Sequence, residues 1–372
     1  MGTEASATGD PTGSTPSGGT RTAEPDSPEL LGSPDPEATQ TETGELPSEL
    51  PADPWTADLA WLPLEAQGPA PAAREDHTWT VDAAGAAAYL YGGRDGSTPF
   101  GDLWRFTFED GAWERLEPSG QQPDERFGHT ATWVEDLGLV VWSGQAGSTF
   151  FDDLWAYDPE TRSWRELDSG GEPPAARYGS CASIGPDGRL WISHGFTDSG
   201  RFADTRSYDF ETGTWAEERP SGTTPVERCL HDCLWTPQGR FLLYGGQTNG
   251  VNALGDLWAL TVGGGEVRTA WDELRQPDAP PARQLYAQTS VAGQAFIFGG
   301  DDLGGQPLND LWALDLATLS WREVVTSGDL PSGRSGAALV MDGSTDRVLL
   351  FGGVGDDGAL ADLWELRPAA AA

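Results

Sequence analysis

Short apolar runs that end in glycine recur along most of this chain. Examples are "YLYGG" at 89–93, "VVWSG" at 140–144 and "RFLLYGG" at 240–246. Runs of this length between turn residues predict buried strands, and a glycine permits the positive φ of a tight turn. Helical periodicity is absent, so the pattern predicts an all-β protein.

Around these runs the same landmarks return in the same order. An Arg opens each unit, the apolar run follows, an Asp-Leu-Trp triplet comes next, and a second Trp closes the unit. The opening residues are Arg74, Arg126, Arg177, Arg228, Arg283 and Arg334. The closing residues are Trp113, Trp164, Trp215, Trp271 and Trp321. The third unit has "ADTRS" in place of the triplet, and the sixth has no closing Trp.

Each unit holds four candidate strands, such as "CLHDCLWT", "RFLLYGG", "DLWALTV" and "AWDELR" in the fourth. The opening arginines are 51–55 residues apart, and four strands in a repeat of this length are typical of a propeller blade. The order Arg-x-x-His, apolar run, Gly-Gly, Asp-Leu-Trp and Trp-x-x-Leu resembles the Kelch repeat, as in "REDHTW…YLYGG…DLWRF…WERL". This resemblance covers residues 55–368 and implies a six-bladed Kelch-type β-propeller.

The stretch "AWLPLE" at 60–65 looks like the end of a unit whose beginning is missing. It carries the Trp-x-x-Leu ending that the sixth unit lacks. We therefore predict that Trp61 and Leu64 complete the last sheet beside Asp362–Leu366, so that the sixth blade consists of residues 334–366 plus about 56–65. A ring left open would expose an unpaired strand edge.

The first 54 residues differ from the rest in composition. They are rich in Gly, Ser, Thr, Pro, Asp and Glu, contain no aromatic residue, and carry 11 acidic residues against one base, Arg21. Such a segment cannot bury enough apolar surface to offset its ordering entropy, so residues 1–54 are predicted to be a disordered acidic tail. Residues 369–372 are a short Ala tail.

The net charge of −37 and the pI near 4.1 argue against a nucleic-acid partner or an anionic membrane surface. No apolar run reaches the length of a membrane-spanning helix, and no secretory signal is visible. We expect a monomer. Localisation stays open, with the cytoplasm as the default.

The six opening arginines stand where the chain enters each innermost strand, so in a ring they are expected at one mouth of the central channel. Arg presents a planar, bidentate fork to carboxylates. In animal Kelch adaptor proteins, arginines at comparable positions bind acidic peptide motifs, and the resemblance implies the same here. We therefore predict a protein-interaction scaffold that binds an acidic peptide or another carboxylate ligand at this mouth. Alternatively, each Arg pairs with a neighbouring acid or backbone carbonyl inside the fold.

The segments between second and third strands vary most among the units, and such loops on a rigid frame commonly carry specificity. Phe100, Phe151 and Phe202 lie in them and are predicted interface residues. Alternatively, they fill gaps between blades. In the tail, Glu42–Glu45 ("ETGE") looks like the acidic motif that a Kelch adaptor captures, which suggests that the tail occupies the arginine mouth.

Cys229, His231 and Cys233 alternate along "RCLHDCLW", and Cys181 lies on the equivalent strand of the neighbouring unit. Cys229 and Cys233 are separated by about 13 Å on an extended strand, which is too far for one metal ion or for a disulfide between them. We therefore predict no metal site, and buried thiols that stay reduced.

A carbohydrate-active enzyme of sialic-acid mutarotase or lyase type is the alternative function. In such an enzyme a channel-mouth Arg would hold the carboxylate of a small sugar acid, and Glu125 or Glu227 would move a proton. The sequence contains no nucleophile elbow, phosphate loop or zinc-peptidase motif, and no cofactor is predicted.

Overall fold

A computed structural model of the chain describes residues 53–56, 58–250, 252–263 and 269–369. The predicted tail up to residue 52, with its "ETGE" motif, lies outside these ranges. Pro54–Thr56 forms a 3-10 helix, and the remaining elements of the described residues are strands. No described helix is long and apolar enough to cross a membrane.

The described strands form six main sheets, one for each sequence unit, with four antiparallel strands that we number from the inner to the outer strand. Sheet one is Thr78–Val81, Ala87–Tyr91, Leu103–Thr107 and Ala112–Leu116. Sheet two is Thr130–Val134, Gly138–Trp142, Leu154–Asp158 and Ser163–Glu166. Sheet three is Cys181–Ile184, Leu190–Thr197, Gly200–Asp209 and Thr214–Glu218, with Gly170–Gly171 added at its outer edge.

Sheet four is Asp232–Trp235, Arg240–Tyr244, Leu257–Thr261 and Ala270–Leu274. Sheet five is Ala287–Val291, Gln294–Gly300, Leu308–Asp315 and Trp321–Glu323. Sheet six is Ala338–Asp342, Arg347–Phe351, Leu363–Pro368 and Leu59–Leu64, with Thr326–Gly328 at its outer edge.

The turns between second and third strands lie at one end of the sheets, and we call the surface that carries them the loop face. In sheets three and five the two long strands continue into this turn. In the other units the turn is a short hairpin: Arg94–Asp95 with Thr98–Pro99, Gln145–Ala146 with Thr149–Phe150, Gln247–Thr248 with Asn252–Ala253, and Val354–Gly355 with Gly358–Ala359. Gln247–Thr248 also pairs with Arg228–Cys229.

The second strand of each sheet is buried on both faces, as the apolar runs predicted. Every residue of Ala87–Tyr91 and of Gly138–Trp142 is buried. A strand covered on both sides needs an unbroken apolar run rather than an alternating one. The core therefore lies between neighbouring sheets, and the aromatic residues of adjacent units meet there.

The two ends of the described chain share sheet six, as the sequence predicted. Leu59–Leu64 pairs antiparallel with Leu363–Pro368, and Trp61 lies opposite Leu366. Trp61 is 1% exposed, and its ring centroid lies 5.2 Å from that of Phe298 in sheet five. The segment that begins in the middle of a repeat therefore supplies the outer strand of the last sheet.

A cycle of backbone hydrogen bonds joins the six units at the base of their inner strands. Its members are the residues two positions after each opening Arg: Asp76, Gly128, Gly179, Leu230, Leu285 and Gly336. Each donates its N–H to the carbonyl of its counterpart in the preceding unit, over 2.7–3.0 Å, and Asp76 donates to Gly336. All six have a positive φ between 53° and 67°. Together with the six sheets, this cycle fits a β-propeller.

Candidate functional site

The six opening arginines are the most regular polar feature of the structure. Each side chain is at most 1% exposed and makes a bidentate ion pair with the Asp of its own unit. In Arg283, Nη1 lies 2.7 Å from Asp310 Oδ1 and 2.8 Å from the Gly299 carbonyl, Nη2 lies 2.7 Å from Asp310 Oδ2, and Nε donates to the Pro281 carbonyl. Four of the five N–H donors are therefore used inside the unit.

The same four contacts recur at every opening Arg. The pairs are Arg74 with Asp102, Arg126 with Asp153, Arg177 with Asp204, Arg228 with Asp256, Arg283 with Asp310 and Arg334 with Asp362. The Trp of the triplet adds an N–H to the same carboxylate, as Trp312 does to Asp310 at 2.7 Å. In unit three Arg206 replaces this Trp, and its Nε donates to Asp204 over 3.1 Å.

The three predicted interface phenylalanines cover these arginines. The Arg74 guanidinium lies 4.2 Å from the Phe100 ring centroid. The corresponding distances are 4.1 Å from Arg126 to Phe151 and 3.8 Å from Arg177 to Phe202. Each ring is half-buried. Cation–π contact of this kind holds the ring and the guanidinium together within the fold.

These contacts correct the expectation of an open cationic mouth. A ligand carboxylate would have to displace a half-buried Asp from a fully buried guanidinium, and the desolvation of the ligand that this requires opposes it. The six arginines are thus placed as internal ion pairs, the alternative that the sequence left open.

Beside these arginines lie the residue after each opening Arg, which is buried in every unit except at the half-buried Tyr178, and the residue after the glycine that ends each apolar run. These positions bridge within each unit, as Glu75 does with Arg94 and Tyr178 with Phe196. In the described residues they are Glu75, Phe127, Tyr178, Cys229, Gln284 and Ser335, facing Arg94, Gln145, Phe196, Gln247, Asp301 and Val354. The Arg–Asp pairs repeat, but the combination of residues at these two positions differs in every unit.

An aromatic row crosses units two and three on the loop face. Phe127 lies 5.8 Å from Tyr178, Tyr178 lies 6.0 Å from Phe196, and Phe196 lies 6.2 Å from Phe150, measured between ring centroids. Tyr178, Phe196 and Phe150 are half-buried. Half-exposed aromatic side chains flanked by arginines are the composition that interface hot spots favour.

Arg94 flanks the aromatic row at one end, and two carboxylates already neutralise its charge. Its guanidinium lies 4.5 Å from the Phe127 ring, and Nη2 lies 2.9 Å from Asp76 Oδ2. Nε lies 3.3 Å from Glu75 Oε1. Two carboxylates therefore share one cation at this end of the row.

Arg201 flanks the other end and is paired differently. Nη1 donates to Asn249 Oδ1 over 3.1 Å, Nη2 donates to Gln247 Oε1, and Nε lies 3.3 Å from the Cys229 sulfur. Its guanidinium also lies 5.3 Å from the Phe196 ring. Within the described residues no carboxylate lies within ion-pair distance of Arg201. In a strongly acidic protein this half-buried guanidinium is held only by neutral partners.

Inside the cycle of backbone hydrogen bonds, the six inner strands enclose a channel of about 270 Å³. Its lining includes His77, His129, His231 and Asp232. Burial lowers the pKa of His77 to about 3, and it lowers those of His129 and His231 well below the ordinary value. The channel is therefore lined by neutral imidazoles at physiological pH.

The cysteines form a disulfide, which corrects the prediction of reduced thiols. Cys181 and Cys233 lie on the inner strands of sheets three and four with their Cα atoms 5.6 Å apart, and their sulfurs are bonded. Cys229 is the remaining free cysteine and is buried. The sequence placed Cys181 beside Cys233 but could not show that neighbouring inner strands bring them within bonding distance.

The other residues singled out by sequence are scattered. Glu125 is exposed at the base of sheet two, and Glu227 Oε1 accepts a hydrogen bond from Asn249. His194 is fully buried with φ 58°, and its carbonyl accepts from Arg177. Its ring lies 5.5 Å from that of His231. No group of three or more metal-binding side chains occurs among the described residues.

Asp232 gives the channel a pH-dependent property. Burial raises the pKa of its carboxyl to about 7, although the Cys233 N–H opposes the shift. A carboxyl whose folded pKa is raised contributes stability below its unfolded pKa near 4, and this contribution is lost as pH rises through 7. We expect the free energy of unfolding of Asp232→Asn to equal that of the unaltered protein at pH 4. At pH 8 we expect it to be higher, by at most about 4 kcal/mol.

Urea unfolding of both proteins from pH 4 to 8 measures this difference. The buried histidines change stability in the opposite direction below pH 6.5, but they are common to both proteins and cancel in the comparison. A difference that does not vary with pH contradicts the prediction.

The six sheets, with one Arg–Asp ion pair in each unit (the Arg–Asp frame), define an all-β repeat protein whose structure fits a propeller. The family model described as "KLHDC2/KLHL20/DRC7 Kelch-repeats domain" matches residues 55–239 and 219–371. The chain therefore belongs to the Kelch-repeat family, as its sequence pattern indicated. Kelch-repeat proteins generally act as protein-interaction scaffolds.

Several curated proteins are similar to this chain. Adagio-like protein 3 of Oryza sativa subsp. japonica is 30% identical over 302 residues, which cover 76% of this chain and 47% of that protein. Kelch domain-containing protein 10 of Homo sapiens is 25% identical over 233 residues, covering 60% and 51%. Host cell factor of Drosophila melanogaster is 27% identical over 267 residues, covering 65% and 17%. The chain spans about half the length of these relatives or less, and the matches give the enzyme alternative no support.

Sequence reasoning missed Arg201 and three residues of the aromatic row, Phe127, Tyr178 and Phe196. The signal was present, because the residue after each constant Arg changes from unit to unit while its neighbours repeat. A position that varies while its neighbours repeat is not fixed by the fold, so it can determine binding specificity.

Proposed function

We propose that this chain is a protein-interaction scaffold that binds an acidic segment of a partner, or another carboxylate ligand, on the loop face at Arg201. The single observation that carries this proposal is the pairing of Arg201 with neutral side chains alone. A guanidinium fixed by Gln247 and Asn249 has lost its rotamer freedom before a ligand arrives, which lowers the entropy cost of binding. A carboxylate would supply the missing charge.

The aromatic row gives such a ligand apolar area beside the cation. Tyr178 and Phe196 are half-buried and lie between Arg201 and Arg94. An extended acidic peptide laid along the row would place one carboxylate at Arg201 and its apolar atoms on the rings. Arg94 contributes less, because Glu75 and Asp76 already neutralise it.

We also infer that the six sheets are the blades of one closed propeller. The support is the six-membered cycle of backbone hydrogen bonds and the pairing of Leu59–Leu64 with Leu363–Pro368. A closed ring removes the open strand edge and fixes the loops of different blades relative to one another. A rigid frame of this kind is what positions Arg201 and the aromatic row, which come from different units.

The proposal predicts a selective loss on removing Arg201. A synthetic peptide of residues 38–49, which contains "ETGE", serves as the acidic probe in a fluorescence titration of the full chain. We expect Arg201→Ala to weaken binding about tenfold or more, which corresponds to about 1.4 kcal/mol. The matched control is Arg165→Ala, an exposed Arg on the outer strand of sheet two, which removes the same charge and should change affinity less than about twofold.

A second probe with Gln in place of all three Glu residues, Glu42, Glu45 and Glu49, separates carboxylate binding from nonspecific binding. Equal binding of the two peptides, or an unchanged affinity in Arg201→Ala, contradicts the proposal. A small sugar acid tested in the same titration shows whether a carboxylate without a peptide is sufficient.

A further inference from the structure

Asp76 differs from its five counterparts in the cycle of backbone hydrogen bonds. The other five positions hold Gly or Leu, and Asp76 alone carries a charge. Its side chain is 2% exposed, and Oδ1 has no hydrogen-bond partner among the described residues. A buried polar atom without a partner destabilises a fold. Since five units form the cycle without a carboxylate, the fold does not require one at this position.

The Asp76 carboxylate lies at the loop-face end of the channel. Glu75 bridges to Arg94 at the start of the first loop hairpin, and Asp76 is the next residue, so the cycle surrounds this end of the channel. Asp76 and Gly336 both line the channel. A Cβ on Gly336 would lie 2.7 Å from Asp76 Oδ1, so the glycine leaves the room that this oxygen occupies.

Negative charge exceeds positive charge around Asp76. Glu75 and Asp76 share Arg94, whose Nη2 lies 2.9 Å from Asp76 Oδ2 and whose Nε lies 3.3 Å from Glu75 Oε1. The exposed Asp95, on the same hairpin as Arg94, adds a third carboxylate. Burial strengthens the attraction for a further cation, because charges interact more strongly in a low dielectric. The open position for that cation is Asp76 Oδ1.

We propose that Asp76, with Glu75 beside it, binds a primary ammonium group, supplied by a Lys side chain of a partner protein that enters the channel from the loop face. One free carboxylate oxygen suits an ammonium, which is a compact point charge, better than a guanidinium, whose fork needs two oxygens. It is also too few ligands for a hard metal cation. This chain contains no Lys, so its own side chains cannot supply the ammonium.

The channel offers room and an apolar wall for the rest of a Lys side chain. Its volume is about 270 Å³, whereas roughly 10–15 Å³ on the same measure holds one water molecule. Leu230 and Leu285 are the counterparts of Asp76 in units four and five, and both line the channel. The methylene groups can therefore contact apolar atoms while the ammonium lies at Asp76.

Binding of the ammonium is coupled to the loss of a proton. Burial and the neighbouring Asp76 charge raise the pKa of Glu75 to about 7, to which Asp95 adds and which Arg94 opposes. Burial also raises the pKa of Asp76, again against Arg94. Tyr178, the titratable group of unit three that lies near this pair, stays neutral because burial raises its pKa. The two carboxyls therefore hold a proton near neutral pH, and it passes to the buffer when the ammonium binds.

Calorimetric titration of the full chain with Nα-acetyl-lysine amide tests this assignment. We expect the affinity to rise about tenfold from pH 6 to pH 8, because ionisation of a carboxyl with a pKa near 7 favours binding while the amine stays protonated. At pH 7, titration in two buffers of different ionisation enthalpy should show the release of about half a proton.

Asp76→Asn should weaken this binding at least about tenfold and abolish the proton release. Asn tolerates the positive φ of 55° at this position, so the variant keeps the backbone of the cycle. The matched control is Asp95→Asn, which removes the same charge from an exposed residue of the adjacent hairpin and should change affinity less than about twofold.

Two comparison ligands distinguish a Lys side chain from other ligands. The form of the lysine amide that is acetylated on its side-chain nitrogen lacks the charge and should not bind. Equal binding of the two forms, or an unchanged affinity in Asp76→Asn, overturns the proposal. So does binding of pentylammonium without binding of the lysine amide, since that result assigns the site to a free small amine. The lysine amide carries no carboxylate, so none of these outcomes bears on the ligand proposed at Arg201.

Discussion

Reduction of the Cys181–Cys233 disulfide is expected to lower the free energy of unfolding by about 4 kcal/mol. The two cysteines are 52 residues apart, and cross-linking them removes the entropy of that loop from the unfolded chain. The bond also ties the inner strands of sheets three and four together beside the channel. Its loss should therefore destabilise both of these sheets rather than one.

Chemical unfolding of Cys233→Ser and of the reduced unaltered chain measures this effect. Cys229→Ser is the control, because Cys229 is buried but free and its replacement leaves the cross-link in place. If the Cys233→Ser variant unfolds at the same denaturant concentration as the unaltered chain, the disulfide makes no such contribution.

Removal of one opening arginine is expected to cost a similar amount. Arg283→Ala leaves the half-buried Asp310 without its cation, and the about 3–5 kcal/mol that a fully buried unpaired charge costs is the upper limit, because the Asp310 side chain is 25% exposed. Burial raises the pKa of Asp310, but hydrogen bonds from Arg283 and Trp312 outweigh it and hold that pKa below its ordinary value. Without Arg283 we expect the variant to lose less stability at acidic pH, where Asp310 becomes protonated.

Two comparisons measure the contribution of the Arg283–Asp310 ion pair to stability. Arg275→Ala removes an exposed Arg from the same linker and should change stability by less than about 0.5 kcal/mol. Arg283→Met combined with Asp310→Leu removes both charges and should be less destabilising than Arg283→Ala alone. If Arg283→Ala unfolds like Arg275→Ala, the Arg–Asp frame does not stabilise the fold.

The repeat pattern predicted the strands and their grouping because both depend on near neighbours in sequence. Apolar runs such as Ala87–Tyr91 became second strands buried on both faces. The pairing of Trp61 with Leu366 was also predictable, since one unit lacked an ending and another stretch held only an ending.

The candidate site was predicted much less well. Arg74 and its counterparts were expected at an open channel mouth. Instead, each is buried inside its own unit and pairs with an Asp that follows it at nearly the same sequence distance in every repeat. That constant spacing was a sign of an internal pair. Arg201 drew no attention, because its partners Gln247 and Asn249 lie on the next unit and have no fixed sequence relation to it.

By itself, the sequence determined the all-β class, the six units and the shared last sheet, since strand formation and turn chemistry are set by residues close together in the chain. Only the tertiary structure decided which side chains meet across units. The Cys181–Cys233 bond and the neutral setting of Arg201 depend on how neighbouring sheets twist and pack. Those distances of a few ångströms are fixed by the packing of the whole molecule, and no local pattern of residues encodes them.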